Sequence, residues 1–271
     1  MFVLHHDWDS LQSWKVRLCL AEKGIAWEGR QLELRQFEHL RPEYLAVNPD
    51  GVVPTLVHGE TVVWESSVIN EYLDEVVPEP ALVPKDPAAR ARMRQWVKRQ
   101  DDVVHPAVRA LTFNLMISGR IDPEAQVRRR LDGHPLPERA AAYRDALDGR
   151  VDEGAVLAAL RRLHRLADRM EDALREGAWL AGAAISLADV AMAPLIPRLE
   201  RLALDPVLLD RPGVAGWVAR LKRRDAYAAA HPDAAHQLPS LDPARAAGLL
   251  EAARSSGPIG SGPAAAPRGR G

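Results

Sequence analysis

Ser10 and Ser13 stand three residues apart where a short strand candidate, residues 2–5, gives way to a helical pattern. A hydroxyl at a helix start can donate to an anion that the helix dipole also stabilises. A thiol titrates at about 8.5 in free solution, and such a donor favours its thiolate. Further on, Asn48-Pro49-Asp50-Gly51 is a turn signal, and Val52-Val53-Pro54 opens a strand. A proline there implies a tight bend, with a cis peptide as one solution. The bend would leave the Val53 N–H and C=O free to pair with an extended peptide as an added strand. Eleven residues past Pro54, Glu65-Ser66 opens another helix. Free N–H groups at a helix start bind carboxylates, and an adjacent Glu accepts from an ammonium. Together these positions suit the α-amino-acid head of a thiol-bearing peptide. Taken singly, each also reads as an ordinary turn or serine cap.

These groups need a scaffold, and the first 78 residues supply one. Leu11, Val16, Cys19 and Leu20 give a helical face that ends at Lys23-Gly24. Residues 25–34 alternate as a strand, and residues 40–47 form a short helix. Residues 54–57 and 61–64 flank His58-Gly59-Glu60 as a hairpin. Residues 66–76 are helical. The order β-α-β-α-β-β-α predicts a small α/β domain with a mixed sheet. Residues 79–86 are a proline-rich linker. Helical stripes then dominate residues 87–235, with Met93, Val97, Val104, Val108, Leu111 and Leu115 in one and Leu157, Leu160, Leu163, Leu166 and Met170 in another. The Arg-rich stretch near 119–153 reads as an insertion, partly helical near 140–147. Ser186-Leu187-Ala188-Asp189 is a capping box with Asp in the Glu position. The segment 236–271, ending in Gly, Pro, Ala, Ser and Arg, is expected to be a low-complexity disordered tail.

The chain has 271 residues with a net charge of -1, which argues against general nucleic-acid binding. Its single cysteine, Cys19, excludes an internal disulfide framework and a Cys-rich zinc site. His5-His6-Asp7 lacks a third spaced ligand, so no metal is expected. With no apolar run of about 18 residues, no membrane span is expected. The N-terminus lacks the pattern of a signal peptide, and a cytoplasmic location is the expectation.

The motifs Ser10-x-x-Ser13-Trp14-Lys15-Val16-Arg17, Ala21-Glu22-Lys23-Gly24, Asn48-Pro49-x-Gly51-x-Val53-Pro54, Glu65-Ser66 and Ser186-Leu187-Ala188-Asp189 come in an order and spacing that resembles the cytosolic glutathione transferase superfamily, of theta- or zeta-like serine type. The resemblance spans roughly residues 2–230. It implies a thioredoxin-like N-terminal domain joined to an all-α C-terminal domain, with glutathione as co-substrate and a homodimer as the assembly. It implies that Ser10 activates the thiol and that Val53, before cis-Pro54, pairs with the cysteinyl part. Glu65 and Ser66 would bind the γ-glutamyl group, and His39 would lie near the glycyl carboxylate. Asp189, with Ser186, would be structural. Trp8, Phe113 and Met116 would wall a pocket for a small apolar electrophile.

The sequence also departs from that pattern. No tyrosine lies in the first 40 residues, so tyrosine-type activation is out. No cysteine occupies the Ser10 position, which disfavours mixed-disulfide chemistry. Val52 replaces the polar residue common two before the proline. Phe37-Glu38, residues 86–96, and the insertion with Pro135-Leu136-Pro137-Glu138 are similar to the bacterial β-aryl etherase branch. That resemblance makes Ser13 a rival to Ser10. The expected activity is glutathione thiolate attack on an apolar electrophile, detoxifying in kind. β-Aryl ether cleavage is the alternative within the enzyme class, and a non-catalytic binding module is the alternative outside it.

Overall fold

The computed structural model describes residues 1–121, 130–232 and 234–255. Its first unit is a four-stranded mixed sheet in the order β2-β1-β3-β4. The strands are β1 (Phe2–His6), β2 (Trp27–Gln31), β3 (Thr55–His58) and β4 (Thr61–Trp64). β1 runs parallel to β2 and antiparallel to β3, with Leu4 opposite Leu56. α1 (Leu11–Glu22) and α3 (Ser66–Val76) pack on one another beside the sheet. The short α2 (Pro42–Leu45) follows two 3-10 turns. This is the mixed α/β sheet predicted by the β-α-β-α-β-β-α order, in the thioredoxin-like arrangement that the family resemblance implies.

Every residue of α1 from Ser13 to Leu20 is buried, including Lys15 and Arg17. An amphipathic helix on a sheet buries one stripe, so a helix buried all round must be covered on its second side. The second unit provides that cover. It comprises α4 (Pro87–Arg99), α5 (His105–Thr112), α6 (Pro137–Leu147), α7 (Glu153–Glu176), α8 (Leu187–Met192), α9 (Leu195–Arg201), α10 (Pro206–Leu209), α11 (Pro212–Lys222), α12 (Asp225–Ala230) and α13 (Pro243–Ser255). α8 and α12 lie against α1, and α5 lies against α7. One apolar core, from Leu4 and Leu56 through Val108 to Leu163 and Trp217, runs across both units.

The long stripe over residues 93–115 is not one regular helix. π turns at Gln100–Val104 and Phe113–Ile117 interrupt it. The seven-residue step from Val97 to Val104 is where the wider turn falls, and Gln100 joins the buried face there.

The expected disorder from residue 236 is corrected. Pro243–Ser255 is a helix packed on α7, and Leu241, Ala246, Leu250 and Ala253 are buried. Small alanines that read as low complexity here let one helix approach another closely. Residues 256–271, and 122–129 of the expected insertion, lie outside the described residues. α6 packs Tyr143 and Ala146 against Phe37 and Leu40, forming a second apolar cluster.

Candidate functional site

Ser10 is the N-cap of α1, and its Oγ accepts the Ser13 N–H at 3.3 Å. That bond uses a lone pair and leaves the Ser10 O–H free to donate. The cap lies on the wall of a cavity between the two units, lined also by Asp7, Leu11, Leu34, His105, Arg109, Phe113, Arg139, Tyr143, Arg198 and Leu238. Ser13 sits differently. It is fully buried, and its Oγ accepts the Asp7 N–H at 3.4 Å. Three residues along a helix turn the chain back almost one full turn, so packing of α1 decides which serine meets the cavity.

The turn before β3 is braced on both sides of Val53. Buried Asn48 donates from Nδ2 to the Val52 C=O at 3.0 Å and to Thr55 Oγ1 at 3.0 Å. The Tyr44 hydroxyl reaches the same two residues. Gly51 is required at its place: φ is 58°, and a Cβ would meet Leu40, Leu45 and the His39 carbonyl at 3.0–3.2 Å. The Val53–Pro54 peptide is cis. Among the described residues, neither the N–H nor the C=O of Val53 has a backbone partner. An extended peptide chain has an open rung there.

Glu65 caps α3 at φ 66°, ψ 109°, a conformation a side-chain-bearing residue rarely adopts. It is exposed, while Ser66 behind it is buried. Beneath the helix start lies Lys15, fully enclosed. Its Nζ donates to Ser66 Oγ at 3.2 Å, to Ser67 Oγ, and to Gln100 Oε1 at 3.2 Å. It pairs with Asp101 at 3.1 Å, and Ser67 donates to Asp101 at 2.6 Å. Burial pushes the Lys15 ammonium down from its usual range, and the Asp101 carboxylate partly offsets this. α1, the start of α3 and the first π turn are therefore tied at one charged node.

His39, expected near the glycyl carboxylate, lies beneath the surface. It is buried, its Nδ1 has no partner among the described residues, and its ring lies among Phe37, His134 and Tyr143. Desolvation, with the His134 and Arg139 charges, takes its pKa down to about 3, so it is neutral. The pocket residues divide. Phe113 lines the cavity, whereas Met116 is fully buried with its sulfur 3.9 Å from Arg198. The Arg17 guanidinium lies over the Trp8 ring at 4.5 Å, and Trp8 walls a second, small recess that Ser10 also lines. Cys19 is buried and its thiol is pushed up by desolvation, which leaves it inert.

The capping box at α8 forms: Asp189 accepts from Ser186 N at 3.0 Å and Ser186 caps in return. Asp189 also accepts from Leu180 N at 3.0 Å and Trp217 Nε1 at 2.9 Å. Its carboxyl is raised to about 6 by desolvation. Among the described residues no cluster of His, Cys, Asp and Glu could hold a metal, and no helix is long and apolar enough to cross a membrane.

Several cavity residues escaped the sequence reading. They are His105 and Arg109, which lead at four-residue steps to the expected Phe113, and Arg139 and Tyr143, which repeat that step on α6. A polar i, i+4 face opposite an apolar stripe was the available signal.

Comparison with known proteins places this geometry. The profile described as Glutathione S-transferase, N-terminal domain, matches residues 9–76, and the profile for the C-terminal domain of the same family matches 135–225. Maleylacetoacetate isomerase of Pseudomonas aeruginosa is 32% identical over 233 residues, covering 84% of this chain and 92% of that protein. The chain belongs to the glutathione S-transferase family. Protein LigF of Sphingobium sp. is 30% identical to this transferase over 216 residues, covering 76% of the chain and 84% of that protein. The crystal structure of β-etherase LigF superposes with a TM-score of 0.78 at 27% identity, over 84% of this chain and 98% of that one. A theta-class glutathione S-transferase from Xanthomonas axonopodis pv. citri, solved with glutathione bound, superposes with a TM-score of 0.68 at 25% identity, over 86% and 98%. This transferase is an enzyme of a glutathione-using family with a thioredoxin-like first domain and a helical second one.

Proposed function

We propose that the protein is a serine-type glutathione transferase in which Ser10 holds the glutathione sulfur as thiolate. The reading rests on one observation above all. Ser10 meets the inter-domain cavity with its O–H uncommitted, at the N-terminus of the twelve-residue α1. The free N–H groups and positive end of the helix add to the hydroxyl's pull on a negative sulfur. Glutathione lies extended along Val53-Pro54, its cysteinyl N–H and C=O pairing with the Val53 backbone. Its γ-glutamyl carboxylate takes the Ser66 end of α3, and its ammonium meets Glu65. The thiolate attacks an electrophilic carbon of the second substrate, forming a C–S bond as the leaving group departs with the bonding pair. Preorganised donors of this kind act without reorganisation at the moment of reaction.

A second reading has its own support, the likeness to β-etherase LigF over nearly its full length. In that reading the leaving group is an aryloxide, released from the carbon the sulfur attacks and protonated on departure. We read the exposed Val62, Trp64 and Val68 as the subunit face of a homodimer, and the setting as cytoplasmic detoxification. The test is conjugation of glutathione to a benzyl halide and to a β-aryl ether, followed by thioether and phenol formation. Thioether from the halide alone supports the general transferase. Phenol release from the ether supports the etherase. Neither product, with glutathione passing through unbound, refutes both.

A further inference from the structure

The lining of the cavity beside Ser10 is part apolar and part charged. Leu11, Leu34, Phe113, Ile117 and Leu238 form the apolar part. In the charged part, the acids are already committed. Asp9 pairs with Arg198 at 3.2 Å and with Arg201, and accepts from Leu238 N at 3.0 Å. Asp7 accepts the backbone N–H groups of Asp9 at 2.8 Å and Leu34 at 3.3 Å. Glu33 accepts from Gln31 at 3.1 Å and lies 3.9 Å from His236.

Arg109 and Arg139 are not committed. Both line the cavity, from α5 and from α6, and both are partly buried. Among the described residues neither side chain has a carboxylate within ion-pair distance or a hydrogen-bond acceptor. They repel one another, and the nearest acids felt by Arg139, Glu138 and Glu65, stay beyond pairing distance. Tyr143, one helical turn beyond Arg139, also lines the cavity, its hydroxyl has no partner among the described residues, and burial raises it to about 12, so it stays protonated and able to donate at neutral pH. Two like charges facing one partly dry space cost free energy unless an anion joins them. A guanidinium pair with a phenol presents the planar donor set that a carboxylate accepts.

We infer that Arg109 and Arg139, with Tyr143, form a carboxylate clamp, and that the second substrate is an amphipathic electrophile with an apolar body and one carboxylate. This rests on the transferase reading for the word electrophile, but the clamp itself does not need chemistry. Glutathione also carries a glycyl carboxylate, so the experiment separates the two sources of that group.

The probes are 4-(bromomethyl)benzoate and its methyl ester as electrophiles, and 4-tert-butylbenzoate and its methyl ester as unreactive ligands. Binding of the unreactive pair is measured by calorimetry on the full chain with saturating glutathione. The clamp predicts at least tenfold tighter binding of the acid than of the ester, as expected for charge-assisted bonds. Arg139→Gln should remove that preference and leave ester binding unchanged, and Arg139→Lys should retain part of it. If Arg139→Gln does not fold, Arg109→Gln makes the same test. Equal binding of acid and ester overturns the inference. So does a variant that keeps the preference but weakens glutathione several-fold, since the arginines then serve the glycyl carboxylate. Conjugation of the bromomethyl pair on the same samples reports on the transferase reading separately. A working clamp with no thioether would refute the chemistry and leave the clamp standing.

Discussion

On the reading proposed above, replacing Ser10 by alanine would remove one donor from the bound sulfur and one acceptor from α1, and the two losses have separate signatures. A hydrogen bond to a charged group contributes about 1.5–3 kcal/mol. At 1.36 kcal/mol per pKa unit, this holds the bound thiol about one to two units below its free value of about 8.5. The helix end adds about 0.3–1 kcal/mol and survives the substitution. The wild-type thiol should then titrate at about 7 and the variant's at about 8. At pH 7 the thiolate fraction falls from near one half to under a tenth, a loss of rate of about five- to tenfold. Above pH 9 both sulfurs are ionised and the deficit should close. The assay is difference absorbance of the thiolate on titration with pH, alongside conjugation rates. The second loss is the cap to Ser13 N–H, about 0.5–2 kcal/mol of stability, read by denaturant unfolding. Ser13→Ala is the control, because its hydroxyl is enclosed and serves Asp7 N. It should cost stability and leave the thiol where it was. An unchanged titration in Ser10→Ala, or a shift in Ser13→Ala instead, would refute the reasoning.

Other outcomes follow from the same physics. Lys15→Met leaves the partly exposed Asp101 and the buried Gln100 facing an apolar stem, and stranding such polar partners costs about 1–3 kcal/mol. Chemical denaturation measures that, and calorimetry should show weaker glutathione because Ser66 loses its support. Asp189→Ala strands the N–H groups of Leu180, Ser186 and Trp217, at about 1–3 kcal/mol each, so unfolding midpoints should fall steeply. His6, His39 and His105 are held neutral by burial, with values lowered to about 3. Their unfolded pKa is about 6.5, so the unfolded state binds the extra protons below it, and the stability they contribute is present above pH 6.5 and lost as pH falls towards 3. Between pH 6.5 and 5.5 that amounts to about 1 kcal/mol per histidine, which unfolding curves at the two values would reveal.

Local signals carried much of the fold. Lys23-Gly24 ended α1 with Gly24 at φ 62°, and His58-Gly59-Glu60 turned the hairpin with Gly59 at φ 61°. Ser186 and Asp189 announced α8 because a capping box is written within four residues. What escaped was set by distant partners. The π turn at 100–104 brings Gln100 and Asp101 to a lysine more than eighty residues earlier in the chain. The burial of His39 comes from α6, about a hundred residues later. α13 hid in a composition of alanines whose role is visible only against α7. That Ser10 lines the cavity while Ser13 is buried depends on how the second domain covers α1. Arg109 and Arg139 look like surface arginines until two helices bring them to one cavity.

The central claim is that Ser10, at the cap of α1, holds the sulfur of a glutathione laid along Val53. A crystal structure of the protein with glutathione tests it most directly. The account predicts the sulfur within hydrogen-bond distance of Ser10 Oγ, the cysteinyl backbone paired with Val53, and the γ-glutamyl carboxylate at the start of α3. A sulfur resting against another donor, or a glutathione that leaves Val53 unpaired, would contradict it.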